Sequence, residues 1–117
     1  MNENYKSIAK YIPLLESNKY DASIIAEDGF LNDFNCYLMT SQFYPLPSPE
    51  RILMHYGIRW RELDFVNAKV NEMSEDAVLA LIVSTINADR IYAGTLDNFF
   101  RNGTMLKWLH RLAYFNT

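Results

Sequence analysis

Residues 74–94, SEDAVLALIVSTINADRIYAG, constrain the fold of this chain more than any other stretch. Residues 77–83 are apolar without a break, and Val78, Ile82 and Ile86 recur at four-residue steps beside a strip of Leu79, Val83 and Ile86. A surface helix needs one apolar stripe; a helix apolar all round needs a core about it. The stretch therefore predicts a central helix over about 74–92, buried on nearly all sides, with the other segments packed round it. Ser74 suits the N-cap, Glu75 and Asp76 place negative charge at the positive end of the helix dipole, and Gly94 suits the left-handed turn after the helix. The run is shorter than the roughly 20 apolar residues that cross a bilayer, and Asp89 and Arg90 interrupt its far end.

Enough apolar material exists to surround such a helix, since 50% of the 117 residues are hydrophobic. The expected architecture is all-α, a single compact domain over 1–117 with about five or six helices. Tyr5, Ile8, Ile12 and Leu15 form a stripe that predicts a first helix over residues 4–16, kinked or ended near Ile12 by Pro13. Residues 18–29 read as a turn-rich link. A second helix is expected over residues 33–43, with Asp33 as its cap. Pro45, Pro47 and Pro49 make the clearest break in the chain, and Ser48-Pro49-Glu50 is a helix start, a cap followed by proline and an acid, ended at Gly57. Residues 58–73 are ambiguous between strand and helix and favour a short helix. Thr95 is expected to cap a helix ended by Gly103, and Thr104 to cap a last one to about Phe115, with Asp97 and Arg101 paired four residues apart.

Residues 74–112 resemble the DUF 6508 family, an uncharacterised family of small bacterial and phage proteins. The resemblance rests on Leu79, Ile82, Val83 and Thr85 in the apolar helix, then Asp89-Arg90-Ile91, Gly94 and Leu96, and finally Gly103, Leu109 and Arg111-Leu112. Tyr11-Ile12-Pro13 near Glu16 and the region of Trp60 are similar more loosely. Asp89 stands where the family often has Glu, and Ile91 where an aromatic is usual. The resemblance implies a helical fold and a bacterial or phage source, and no catalytic residue.

Few kinds of chemistry find their residues here. Cys36, His55 and His110 lie far apart with no ligand-pair spacing, so no metal site is expected. There is no G-x-S-x-G elbow and no Gly-rich phosphate loop, so neither a nucleophile nor a cofactor is expected. Cys36 sits among apolar neighbours with no flanking cation and reads as a buried thiol. As a lone cysteine it fits a reducing cytoplasm, and the first residues lack a basic-then-apolar leader. A net charge of −3 gives no general attraction to nucleic acid or to a membrane surface.

Two features remain. Asp89 and Arg90 are charges on a helix expected to be buried, and buried charges need partners. Arg90 would then pair with Asp97 or Glu62 and fix the last helices; alternatively it lines an anion site, the basis of a small enzyme. The other feature is a pair of basic–aromatic patches, Arg59-Trp60-Arg61 and Lys107-Trp108 with Arg111. They suit a protein partner or self-association, because Tyr, Trp and Arg are enriched at binding hot spots. A nucleic-acid module using the last helix is the alternative. The sequence thus favours a small cytosolic protein–protein interaction module, phage-encoded or stress-related, over an enzyme.

Overall fold

The structure, a computed structural model, describes residues 4–17 and 29–116. Every element there is helical: α1 (Tyr5–Ala9), α2 (Tyr11–Glu16), α3 (Phe30–Met39), α4 (Pro49–His55), α5 (Glu62–Val66), a 3-10 turn (Val70–Glu72), α6 (Glu75–Ile91), α7 (Thr95–Arg101) and α8 (Thr104–Phe115). The class is all-α, as expected. The number of helices is roughly the five or six anticipated, with the first one split and residues 58–73 yielding two short pieces. The link expected over residues 18–29 lies, apart from Gly29, outside the described residues.

α6 is the centre. α4 runs along it, and α7 and α8 pack on it; α8 also receives α1 and α2, and α3 packs on α1. Residues 77–82 are all buried in this surround. From Val83 on the surround opens on one side: Val83 and Ile86 are half-buried and Asn87, Arg90, Ile91 and Tyr92 exposed, while Ser84, Thr85 and Ala88 stay buried. The expected burial on nearly all sides therefore holds for residues 77–82, while the second half of the helix is buried on one face only.

Local chemistry explains where the helices break. Pro13 has no N–H to offer the Ala9 carbonyl, so the chain breaks at Lys10, two residues before the expected kink. α3 starts after Gly29, which puts Asp33 in the first turn instead of at the cap. There the Asp33 carboxylate accepts the Tyr11 hydroxyl at 2.7 Å and the Lys10 ammonium at 3.1 Å, tying α2 to α3. Pro49 opens α4 as expected, but Ser48 offers only its carbonyl, to the Arg51 and Ile52 N–H groups. Ser74 holds the cap position of α6 without capping through its side chain; its hydroxyl donates to Asp76, whose carboxylate accepts the Ala77 N–H at 3.0 Å. Thr104 is likewise the first residue of α8 and not its cap: Asn102 Oδ1 accepts the Thr104 N–H at 3.0 Å across Gly103, whose φ of 82° an L side chain would strain.

Aromatic rings fill the space between layers. Phe30 meets Tyr11 and Phe100 edge-on at 5.1 and 4.9 Å. Phe65, Phe99 and Trp108 form a second cluster, with Phe99 and Trp108 at 5.6 Å.

A polar chain crosses the core at the start of α6. Asn116 donates to the Tyr37 hydroxyl at 2.8 Å, and that hydroxyl donates to Glu75 Oε1 at 3.3 Å. Burial raises the pKa of both Tyr37 and Glu75. For Glu75 the sign follows directly. A raised carboxyl pKa means that the folded state holds the proton more tightly than the unfolded chain. The resulting stabilisation is present below the ordinary value of 4.5 and is lost as pH rises through the folded value. Wild type should therefore lose stability relative to Glu75→Gln as pH rises from about 4.5 through the raised folded value. Urea midpoints of the two proteins across that range check this; a gap independent of pH would mean that Glu75 ionises normally.

Candidate functional site

The loop between α4 and α5 carries Arg59, Trp60 and Arg61, all exposed. Asp64, in the first turn of α5, fixes it. Its carboxylate accepts the Arg59 backbone N–H at 2.8 Å and the Arg61 guanidinium at 3.1 Å. Those contacts, the backbone one foremost, hold the Asp64 carboxyl below its ordinary pKa. Trp60 is thus presented on a pinned loop, 51% exposed, with its ring 6.3 Å from Phe65.

Beside Trp60 lies a pocket of about 330 Å³. Phe65, Ala88 and Phe99 give it buried apolar lining, and Trp60 and Tyr92 are its exposed aromatic members. Tyr92 is 64% exposed. Thr85 also lines it, but its hydroxyl is spent on the Leu81 carbonyl at 2.9 Å. Asn98 donates to Glu62, joining α7 to α5 at the polar side of the pocket. The arrangement can enclose an apolar or aromatic group. It offers no nucleophile and no acid–base pair.

Asp89 and Arg90, adjacent in sequence, have separate fates. Asp89 Oδ1 accepts the N–H groups of Gly94 at 3.0 Å and Leu96 at 3.1 Å, so it closes the turn and caps the start of α7. Arg90 is exposed. The buried ion pair expected of it is not formed, because the turn carries it out of the core and both expected partners are engaged elsewhere. Asp97 pairs with Arg101 at 2.6 Å, as the four-residue spacing suggested, and Glu62 takes Asn98. Asp89→Ala should cost about 1–2 kcal/mol, the loss of a double cap, while Asp89→Asn, which keeps an acceptor, should cost less. Equal melting temperatures for wild type and Asp89→Ala would show that the turn does not need the carboxylate.

The tail patch is dismantled by the fold. Trp108 is wholly buried between Phe65 and Phe99, so it is a core residue and not a contact for a partner. Lys107 donates to the Val66 carbonyl at 2.9 Å, satisfying the end of α5. Arg111 donates to the Met73 carbonyl at 3.0 Å and stacks on Tyr114 and Phe115, with its guanidinium carbon 4.4 and 4.6 Å from the ring centres. These cations complete backbone ends, and the nucleic-acid alternative loses the Trp on which it relied. Cys36 is another correction: it is exposed on α3, because the buried stripe there is Phe30, Phe34 and Tyr37. Among the described residues, no three His, Cys, Asp or Glu side chains come together as a metal site would need, and no helix is long and apolar enough to cross a membrane.

No family model, curated protein or solved structure matches the chain.

The geometry alone therefore ranks the residues. Of the six singled out as partner contacts, Arg59, Trp60 and Arg61 come together on one loop, while Lys107, Trp108 and Arg111 serve the interior and its edges. Tyr92 was missed as a surface aromatic. Its signal was its place just past the last helical residue, where the chain turns away from the core. The burial of Trp108 also had a signal: Met105, Trp108, Leu109 and Leu112 fall at i, i+3, i+4 and i+7, a complete apolar stripe.

Proposed function

We propose that the protein acts by binding another polypeptide through the Trp60–Tyr92 pocket. One observation carries this reading: two large aromatic side chains, 51% and 64% exposed, line the same apolar pocket. Exposed Trp and Tyr beside a cavity are the residues that dominate interface energetics when a partner side chain fills the gap. Asp64 holds the loop in place beforehand, which lowers the ordering cost of association. The partner is a second protein or a second copy of this chain. The setting is a reducing cytoplasm, which a single cysteine suits. The resemblance of residues 74–112 to the DUF 6508 family belongs to the same reading and adds a bacterial or phage source.

The test compares wild type with the Trp60→Ser/Tyr92→Ser double variant. Both side chains are exposed, so the variant should fold. Wild type should retain a protein from a lysate of the native host, or show a mass that grows with concentration in light scattering; the variant should do neither. Identical behaviour of the two proteins would sink the reading.

A further inference from the structure

A second groove, of about 390 Å³, lies between α3 and the far half of α6. Its lining includes Phe34 and Leu96, which are buried, and Val83 and Ile86, which are half-buried. Four exposed polar side chains line the same groove: Arg90, Asn32, Asn35 and Asn87, of which Asn35 donates to Met39 Sδ at 3.7 Å. Among the described residues Arg90, Asn32 and Asn87 have no side-chain hydrogen-bond or ion-pair partner. Asp89 also lines the groove, but its Oδ1 is committed to the Gly94 and Leu96 N–H groups. Arg90 is therefore the uncommitted charge beside an apolar surface.

We infer that this groove receives the carboxyl-terminal residue of a polypeptide whose last side chain is apolar. Each part of that ligand has its counterpart. A guanidinium presents N–H donors in a planar fork that matches a carboxylate with two parallel bonds. A carboxamide carries a donor and an acceptor side by side, the complement of a peptide C=O and N–H, and the groove has two uncommitted ones, Asn32 and Asn87. The apolar lining takes the last side chain, as ligand pockets of this size do. A simple fatty acid would engage Arg90 and the lining but leave both carboxamides unmatched. A phosphate would match Arg90 and leave the apolar surface uncovered. The site is separate from the Trp60 pocket and does not depend on what that pocket binds.

The experiment titrates the full chain with N-acetyl-Ala-Ala-Leu as the free acid, with its carboxyl-terminal amide, and with octanoate, followed by amide chemical shifts in NMR. The free acid should bind and shift the signals of Asn32, Asn87 and Arg90. The amide should bind at least about tenfold more weakly, since it cannot form the charge-assisted pair. Octanoate should also bind more weakly than the peptide acid. Arg90→Ala should reduce the acid to the level of the amide, with Arg90→Lys restoring only part. Asn87→Leu should weaken the peptide and leave octanoate unchanged. Both positions are exposed, so melting temperatures should stay at the wild-type value. Equal binding of acid and amide would overturn the inference, as would no binding at about 1 mM of peptide acids ending in Leu, Phe or Val. Octanoate binding as tightly as the peptide acid would make this a site for small carboxylates and overturn the polypeptide assignment.

Discussion

Replacing Ile82 with aspartate is expected to leave the chain without its native fold. Ile82 is wholly buried at the middle of α6, where α4, α7 and α8 all pack on that helix. A carboxylate there would lose its hydration with no cation or donor placed to receive it, and burying an unpaired charge is among the most destabilising single changes. The cost is comparable with the roughly 5–15 kcal/mol that a domain has in total. Ile82→Val, which removes one methylene and keeps the shape, should cost only about 0.5–1.5 kcal/mol. Circular dichroism and thermal melts of both variants check the contrast. A wild-type melt for Ile82→Asp would show that α6 is not the centre of the fold.

Trp108→Ala should have the next largest effect, about 3–5 kcal/mol, because it empties the space between Phe65 and Phe99. The variant separates two views of the residue. A Trp serving only as a surface contact would be replaced within about 0.5 kcal/mol. Trp108→Phe sharpens the result. The indole N–H is fully buried and has no acceptor among the described residues, so phenylalanine loses volume but also removes a donor that is costly to bury. It should lose well under half of what alanine loses. Chemical denaturation of the three proteins gives the order directly.

The sequence made some of this visible and hid the rest, for reasons that lie in particular residues. Periodicity reports which faces of a helix are apolar, and it found α6 and the limits of α8 because those patterns are long. Glycines and prolines found the joints: Gly94 and Gly103 both adopt positive φ, and Pro49 opens α4. Caps were harder. Ser74 and Thr104 are good capping types, yet Asp76 and Asn102 accept the N–H groups, because two side chains within reach compete and only geometry chooses. Burial at the far end of α6 was over-read for a related cause. Ile86 and Ile91 continue an apolar pattern, but whether a face is covered depends on a neighbouring helix, and nothing in the spacing of α6 says where α3 stops. Arg90 was misjudged with them. The Trp60 pocket joins residues from α5, α6 and α7 with the loop before α5, a conjunction that exists only in three dimensions.

The turn that Asp89 closes is a party wall. Tyr92, Gly94 and Thr95 face the Trp60 pocket, while Asp89, Arg90 and Leu96 face the groove against α3. One carboxylate, through its two backbone contacts, sets the position of both faces at once. Any molecule that prefers one setting of this turn must therefore be felt on its other side. Thermodynamic reciprocity makes the effect symmetric: whatever factor an occupant of one cavity applies to affinity in the other, it receives in return.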